Sequence, residues 1–281
     1  MTAGAPIVAC LKLVDHRPEV DALSGAVRTD PRASGASDAD AAALEWALRL
    51  GEAWGREVVA VTAGPAAADA VLREALAAGA ARVVRVELAS DAPSEAVAAA
   101  LAPVVTAAAV VVCGNWSLDR GSGSVPAYLA AHSDAAQALG LVTLAFAAEH
   151  PDEVTAIRRL DGGRRERLSA TAPVVLSVEG ASARLRRAGL AGVLAAGAAT
   201  VEPMAATPTP VAPVTAGVRA GPYRPRARVL APPPAGLDAR QRVLSLTGAL
   251  VERTPPQHIV ADPPEAADRL LAQLRTWGYL P

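Results

Sequence analysis

Residues 110–129 read VVVCGNWSLDRGSGSVPAYL and place an apolar strand, a small polar turn and a helix in direct succession. The run Val110–Val112 is continuously apolar, which is typical of a strand covered on both faces. Cys113-Gly114 end this run, and an amphipathic helix is predicted over Gly123–Gln137. A buried strand that leads into a helix is the repeating unit of a parallel α/β sheet, so this stretch decides the fold class.

The turn inside this stretch contains Asp119 and the alternating run Gly121-Ser122-Gly123-Ser124. Glycine lets a backbone approach a ligand closely, and serine hydroxyls can cap a helix or bind a phosphate. Unpaired N–H groups at the start of a helix also attract anions. The turn has neither the GK[ST] of a Walker loop nor a GxGxxG fingerprint. Two interpretations therefore stay open: an anion-binding loop, or a strand–helix corner that only requires small residues.

Composition limits the classes of function. At 281 residues the chain can form one large α/β domain or a domain with an appendage. Aromatic residues make up only 3%, so the core must be built from Ala, Val and Leu. A net charge of −1 gives no electrostatic basis for binding nucleic acid or an anionic membrane. We expect no signal peptide, no membrane-spanning segment and a cytoplasmic location.

The residue types that usually carry catalysis are sparse. The two cysteines, Cys10 and Cys113, each end a predicted strand, which favours reduced, buried thiols over a disulfide scaffold. The four histidines show no metal-ligand spacing, so no metal site is predicted. The sequence has no GxSxG, HExxH or Cys/His pair, and no carboxylate pair placed for acid–base work. A binding or carrier role is favoured over hydrolysis, and no catalytic residue is assigned.

Strands alternate with helices through residues 1–200, which predicts right-handed crossovers, a parallel sheet and one α/β nucleotide-binding domain. Asp15–Ala36 is polar and irregular and is predicted to be a long loop. The predicted strands are Ile7–Val14, Glu57–Ala63, Arg82–Leu88, Ala109–Cys113 and Leu141–Ala147. The predicted helices between them are Asp38–Trp54 after a Ser37 cap, Ala66–Ala78 and Pro93–Leu101.

A β-hairpin is predicted where the alternation breaks. Val154–Arg159 and Arg165–Ser169 flank an Asp-Gly turn, which is a strong hairpin signal. The strand Ala172–Val178 and a helix near Leu190–Ala196 follow it.

The C-terminal third reads differently. Residues 201–236 are dense in proline without helical or strand periodicity, which predicts a linker or extended arm. Residues 237–281 are predicted to be helical, with a short helix within Leu237–Arg253 and an amphipathic helix over Pro264–Trp277. The apolar stripe of the last helix must either fold back or dock onto a partner chain, and both outcomes stay open.

Six stretches, taken in order, carry a resemblance to a known family. They are ACLKLV (9–14), DADAAALEWALRL (38–50), EVVAVTAGP with LREALAAGAARVVRV (57–65, 72–86), GNWSLDRGSGSV (114–125), IRRLDGGRRERL with APVVLSV (157–168, 172–178) and HIVADPPEAADRLLAQLRTWGYL (258–280). Their order resembles the β-subunit family of electron-transfer flavoproteins, which includes the FixA-type proteins. The resemblance covers nearly the whole chain and is weakest at Asp15–Ala36 and Met204–Gly236.

The resemblance implies a Rossmann-like sheet of the adenine-nucleotide-binding HUP type, with an inserted hairpin and an extended C-terminal arm. It also implies a heterodimer with a homologous α-subunit. In that family the β-subunit binds AMP, and FAD sits mainly on the α-subunit with the β-subunit closing one side. A dehydrogenase delivers electrons to the flavin, which passes them to a downstream acceptor. The implied role is an electron-carrier subunit, not an enzyme; a subset of the family holds a second FAD in place of AMP and bifurcates electrons.

By matching position, the resemblance also implies the residues of the AMP site. Cys10 and Ala63 would act through backbone groups at strand ends, and Gly121–Ser124 would hold the phosphate. Asp119 would meet a ribose hydroxyl or the adenine, or would be an ordinary carboxylate at a helix start. The full set is Cys10, Ser37, Asp38, Ala39, Asp40, Ala63, Asp119, Arg120, Gly121, Ser122, Gly123, Ser124 and Val125.

Two positions depart from the family pattern. The family's Asn-Pro is Ser37-Asp38 here, and its Asn-Glu-Pro-Arg-Tyr-Pro-Ser-Leu run is ARLRRAGL at Ala183–Leu190. That loop recognises the dehydrogenase in the family, so we expect a donor other than the usual acyl-CoA type. The altered loop and the chain's ending resemble a divergent actinobacterial branch of the family. The branch linked to the mycofactocin redox system is the candidate. The candidate partner contacts, with a solvated basic patch as the alternative, are Arg184, Arg186 and Arg187.

Two other protein classes share the predicted sheet. A stand-alone universal-stress-type protein would bind an adenine nucleotide as a homodimer without flavin, but such proteins are shorter and lack the hairpin and the arm. An ATP-pyrophosphatase-like enzyme would need a Ser-Gly-Gly-x-Asp-Ser loop after the first strand, and Lys12–Arg17 contains none. The universal-stress class is kept as the alternative.

Overall fold

The computed structural model describes residues 4–21, 23–201, 203–206, 232–247, 260–277 and 279–280. The described residues up to 206 belong to one compact unit, and those from 232 onward belong to a second. None of the helices in these ranges has the length and apolar character needed to cross a bilayer.

The first unit is built from thirteen strands and five α-helices in its described residues. The strands are β1 Ile7–Cys10, β2 Leu13–Asp15, β3 Glu19–Val20, β4 Val27–Arg28, β5 Ser34–Ala36, β6 Val58–Gly64, β7 Arg82–Glu87, β8 Val110–Gly114, β9 Ala136–Ala145, β10 Glu153–Arg159, β11 Arg165–Thr171, β12 Val174–Val178 and β13 Pro203–Ala205. The helices are α1 Asp38–Trp54, α2 Asp69–Ala78, α3 Ser94–Val105, α4 Val125–His132 and α5 Leu190–Ala198. The second unit contains α6 Ala239–Thr247 and α7 Pro263–Thr276.

Nine of these strands form one sheet, in the order β11-β10-β9-β12-β8-β1-β6-β7-β13. β1 is parallel to both of its neighbours, with Ile7 opposite Val58 of β6 and Val110 of β8. Only the hairpin end is antiparallel, where β10 pairs with β9 and β11. The predicted α/β class with a mainly parallel sheet and an inserted hairpin is confirmed.

Both faces of the sheet are covered, because alternate residues of β1 point to opposite sides. Ile7 and Ala9 belong to a core with α1 and α2. Val8 and Cys10 belong to a second core with α3 and α4. The chain moves from β1 outward to β6 and β7, then returns to β8 on the other side of β1. Ligands of such sheets bind where the strand order reverses, at the carboxyl ends of β1 and β8.

Helix α1 shows how local chemistry fixes the predicted boundaries. The Ser37 hydroxyl caps its start by accepting a hydrogen bond of 3.1 Å from the Asp40 N–H. Gly55 ends it in the left-handed conformation at φ +61°. The predicted bounds of this helix and the predicted Asp-Gly hairpin are both confirmed.

Two predicted elements near the cavity have different bounds. The strand predicted over Ile7–Val14 stops at Cys10, because the Lys12 N–H donates to the Asp40 carboxylate at 3.0 Å and thus leaves the sheet. The helix predicted to reach Gln137 stops at His132. Ala136 and Gln137 instead begin β9, which replaces the predicted strand Leu141–Ala147 and pairs with β12.

Other differences lie at the edges. The predicted loop Asp15–Ala36 contains short strands, since β5 pairs with β2 and β4 with β3. The predicted arm begins as an edge strand, β13, which pairs with β7. Most of the remaining arm, and the end of the predicted helix Leu237–Arg253, lie outside the described residues. The division into residues 1–200, 201–236 and 237–281 stays a prediction.

Replacing Gly51 tests how tightly α1 packs on β6. Alanine would improve helix propensity by about 1 kcal/mol. Its Cβ, however, would collide with the Val58 side chain and come within 2.9 Å of the Arg56 carbonyl oxygen. We therefore expect Gly51→Ala to lower the free energy of unfolding by about 1–3 kcal/mol in urea titrations.

Gly197 of α5 is the matched control for this substitution. It is an exposed helical glycine around which a Cβ would meet nothing within 4 Å. Gly197→Ala should leave the unfolding free energy unchanged or raise it by up to about 1 kcal/mol. Equal effects of the two substitutions would contradict the close approach of α1 to β6.

Candidate functional site

A cavity opens at the carboxyl ends of β1 and β8, where the strand order reverses. It encloses about 800 Å³ of empty space, part of it open to solvent. Strand ends, the first turns of α1 and α3, and the loop between β8 and α4 all contribute to its wall. We call this space the main cavity.

The loop between β8 and α4 is held in a fixed shape by its two glycines. Gly121 and Gly123 have φ values of +63° and +59°, a conformation that side-chain-bearing residues rarely adopt. The Gly121 N–H donates to the Ser117 carbonyl at 2.8 Å. Gly123 lies directly against the Asn115 carbonyl oxygen, with which any Cβ would collide.

Serine hydroxyls connect this loop to the start of α3. The Oγ atoms of Ser94 and Ser122 lie 3.2 Å apart, and Ser124 Oγ donates to Ser122 Oγ at 3.2 Å. All three residues line the main cavity. Their hydroxyls form a short chain of groups that can donate to an anion.

Helix α4 begins at Val125, two residues later than the sequence predicts. Ser124 precedes it without a side-chain cap, and Pro126 carries no N–H. Tyr128 N–H already donates to the Ser124 carbonyl at 3.2 Å. Within the described residues, the N–H groups of Val125 and Ala127 have no acceptor, so these two are the donors that the helix start offers.

Lys12 supplies a positive charge at the cavity wall. Its Nζ atom lies 2.5 Å from Oδ2 of Asp119, and both side chains are partly exposed. Burial acts to raise the pKa of Asp119, but the hydrogen bonds and charge of Lys12, with help from Ser117, outweigh it and lower that pKa. Asp119 is therefore an anion that holds Lys12, and it does not itself line the main cavity.

Asp40 is the buried carboxylate of the wall. Its side chain accepts the Lys12 N–H at 3.0 Å and lies so close to Gly114 that a Cβ there would be 2.5 Å from Oδ1. Burial raises the pKa of Asp40 to about 7, against the opposing effect of its hydrogen bonds with Lys12, Ser37 and Gly114. This carboxyl can thus change protonation near neutral pH.

Cys10 and Cys113 face each other across β1 and β8, and both line the main cavity. Both are free thiols. The hydrogen bond with Cys10, together with burial, raises the pKa of the Cys113 thiol. A protonated, buried thiol is unreactive, so Cys113 forms part of the floor of the cavity and is no nucleophile.

The predicted nucleotide residues divide between two cavities. A second cavity, separate from the main one, is lined by Ser37, Asp38 and Ala39. Trp116 lines both cavities. Gly121 shapes the loop without lining either. The predicted residues that the structure brings together around the main cavity are Cys10, Asp40, Ala63, Arg120, Ser122, Gly123, Ser124 and Val125.

Sequence reasoning missed Lys12 and Trp116 as members of the wall. Lys12 could have been found, because it is the only lysine of the chain and follows the first strand. Trp116 could have been noticed as an aromatic residue in a sequence with few of them, within the glycine-rich turn.

The three candidate partner residues have different surroundings. Arg186 forms ion pairs with two carboxylates of α1: its Nε lies 3.0 Å from Glu45 Oε2, and its guanidinium also pairs with Glu52. These two carboxylates raise the pKa of Arg186. Arg184 and Arg187 are exposed. All three stay predictions as partner contacts.

Asp40→Asn tests the buried carboxyl through the pH dependence of stability. Burial raises the pKa of Asp40 to about 7 in the folded state, whereas the unfolded chain keeps the ordinary value of 3.8. Between these values the folded state binds the extra proton, so this group's contribution to stability falls as pH rises from about 4 to 7. The limiting slope is about 1.4 kcal/mol per pH unit.

Urea titrations from pH 4 to pH 8 measure this slope directly. We expect Asp40→Asn to remove it, so that the variant gains stability relative to the wild type as pH rises. Ser37→Ala is the comparison variant, because it removes the helix cap and keeps the carboxyl, so the slope should persist. Loss of the Ser37 hydrogen bond should raise the pKa of Asp40 further. Parallel pH profiles of Asp40→Asn and the wild type would contradict the raised pKa.

Comparison with known proteins agrees with this architecture. The family model described as "Electron transfer flavoprotein domain" matches residues 28–209, which is more than half of the chain. Protein FixA of Rhizobium meliloti (strain 1021) is 33% identical over 212 residues, which cover 72% of this chain and 72% of that protein. The chain therefore belongs to the electron transfer flavoprotein family, as a member of its FixA-like β-subunit type.

Proposed function

We propose that this chain is the AMP-binding subunit of a heterodimeric electron-transfer flavoprotein. The observation that carries the proposal is the corner between β8 and α4. There Val125 and a serine hydroxyl chain line one cavity together with Lys12, and the N–H groups of Val125 and nearby Ala127 have no acceptor among the described residues. Family membership also supports the proposal, since the chain belongs to the electron transfer flavoprotein family as a member of its β-subunit type.

The groups of the main cavity fit a nucleoside monophosphate. The phosphate would accept hydrogen bonds from the N–H groups of Val125 and Ala127 and from the Ser122 and Ser124 hydroxyls. Lys12 would supply the opposite charge; its pairing with Asp119 is partly exposed and thus weak enough to be shared with a ligand.

The nucleoside would lie over the ends of the central strands. Cys10 and Ala63 line the cavity there and would contribute backbone groups. Asp40 would present a carboxyl that can accept or donate a hydrogen bond, depending on pH. The predicted Ser37, Asp38 and Ala39 would not touch AMP directly, because they line the second cavity.

The second cavity is our candidate for the side that closes over the FAD of the α-subunit. Trp116 and Leu118 line it with 48% and 45% of their surface exposed, an apolar surface suited to being covered by another molecule. His16 adds a group that can donate or accept a hydrogen bond there. When bound, FAD supplies the acceptance and release of electrons, while this chain would shield it from water on one side.

Within this role, a dehydrogenase would donate electrons and a downstream acceptor would take them, so the chain acts as a carrier subunit. Arg184 and Arg187 are the exposed candidates for contact with the donor, since Arg186 is held by α1. Cys10 and Cys113 lie opposite each other on neighbouring strands, yet both are free thiols. This fits a reducing, cytoplasmic compartment.

The universal-stress alternative has less support. Its members would account for the central parallel sheet, but the family match extends beyond that sheet to residue 209 and takes in the whole hairpin.

Co-expression with an α-subunit encoded beside this chain separates the two functions. We expect a yellow 1:1 complex that retains FAD and releases about one equivalent of AMP when it is denatured by heat. The absorption spectrum, the subunit ratio and chromatography of the released nucleotide measure these outcomes. A colourless homodimer that binds ATP on its own would contradict the proposal and support the alternative.

Gly123→Ala tests the loop within that complex. The new Cβ would collide with the Asn115 carbonyl, and the residue would also be strained at its φ of +59°. We expect the loop to move and the retained AMP to fall at least tenfold per complex. The ratio of flavin to protein serves as the check that the subunits still assemble.

Gly121→Ala is the matched control for the collision. Its φ is equally left-handed, at +63°, but the nearest atom to its Cβ would be 4.0 Å away. It should cost only about 1 kcal/mol of backbone strain and keep most of the AMP. AMP retained equally by both variants would show that the loop does not hold the nucleotide.

A further inference from the structure

Trp116 is a partly exposed aromatic residue of the loop between β8 and α4. Its surface is 48% exposed, so part of the side chain is free to contact a ligand. Among the described residues that line the main cavity, it is the only aromatic one. The other half of its surface packs against the protein, so stability is measured beside binding for any variant of this residue.

The backbone on both sides of Trp116 is fixed. Before it, the Asn115 N–H donates to the Val178 carbonyl of β12 at 2.9 Å. After it, the Ser117 carbonyl accepts the Gly121 N–H at 2.8 Å. The indole is thus attached to a preorganised segment, which lowers the entropy cost of binding a ligand against it.

The remainder of the main cavity offers a second apolar surface. Helices α3 and α4 contribute Val97, Leu101 and Val125 to its wall, while Ser90 and Ser94 add hydroxyls. An aromatic face, aliphatic side chains and a few hydroxyls together suit a flat ring with polar edges, which is the chemistry of a purine base. The anion-binding groups of the loop line the same cavity, so base and phosphate can be bound together.

We propose that the adenine ring of the bound nucleotide stacks on the Trp116 indole, which makes Trp116 the residue that selects a purine nucleotide over a bare ribose phosphate. This inference rests on the proposed function of the main cavity. Base–aromatic stacking is worth about 5- to 150-fold in affinity per base. The ribose and phosphate contacts do not involve the indole, so they should not depend on it.

Isothermal titration of the full-length chain with AMP and with ribose 5-phosphate tests the inference. For Trp116→Leu we expect AMP to bind 5- to 150-fold more weakly, while the affinity for ribose 5-phosphate stays unchanged. Trp116→Phe keeps an aromatic face and should keep most of the AMP affinity. Tyr128→Leu is the matched control: Tyr128 is an exposed aromatic residue of the neighbouring helix α4 and lines neither cavity.

The outcomes separate the inference from the proposed function. If Trp116→Leu binds AMP as tightly as the wild type, or loses affinity for both ligands equally at an unchanged melting temperature, stacking on Trp116 is wrong while the nucleotide site stands. An equal loss in Tyr128→Leu would also overturn it. If the wild type binds neither ligand, the main cavity is not a nucleotide site and the inference falls with it.

Discussion

The buried carboxylate of Asp40 is the interaction on which the rest of the site depends. It accepts the Lys12 N–H at 3.0 Å, which takes the chain out of β1 at the point where the cavity begins. The same carboxylate lies against Gly114, so that α1 can approach the end of β8 only because that residue has no side chain. One group thus fixes the start of a helix and the ends of both central strands. Since a buried charge is costly, its raised pKa is the expected consequence of this arrangement.

Around this fixed point, the loop from Gly114 to α4 gains its shape from few interactions. The Lys12–Asp119 pair ties its middle to the end of β1, and the serine hydroxyls tie its end to α3. The two left-handed glycines then direct the start of α4 toward the main cavity. Trp116 lies within the same loop and lines both cavities. A ligand in one cavity and a partner over the other would therefore contact a common wall, which gives an electron transfer flavoprotein subunit a physical link between nucleotide and partner.

Elements with local signals could be predicted from the sequence, and those set by distant contacts could not. Ser37 and Gly55 mark the ends of α1, and the Asp-Gly turn marks the hairpin, because capping and turn formation act over a few residues. The alanine-rich segment after His132 has high helix propensity, yet it pairs with β12, and this tertiary contact overrides the propensity. The split of the predicted nucleotide residues between two cavities likewise depends on which distant elements pack around each cavity, which no spacing in the sequence reveals.

In the proposed complex, backbone N–H groups at the start of α4 bind the phosphate of an adenylate. The most direct measurement is an amide NMR titration of the isotopically labelled chain with AMP, following Val125 and Ala127, whose N–H groups have no acceptor among the described residues. We expect downfield shifts of both amide protons that saturate together with binding, because a phosphate oxygen would become their acceptor. Unchanged resonances of both residues at saturating AMP, with shifts confined to other elements, would contradict it.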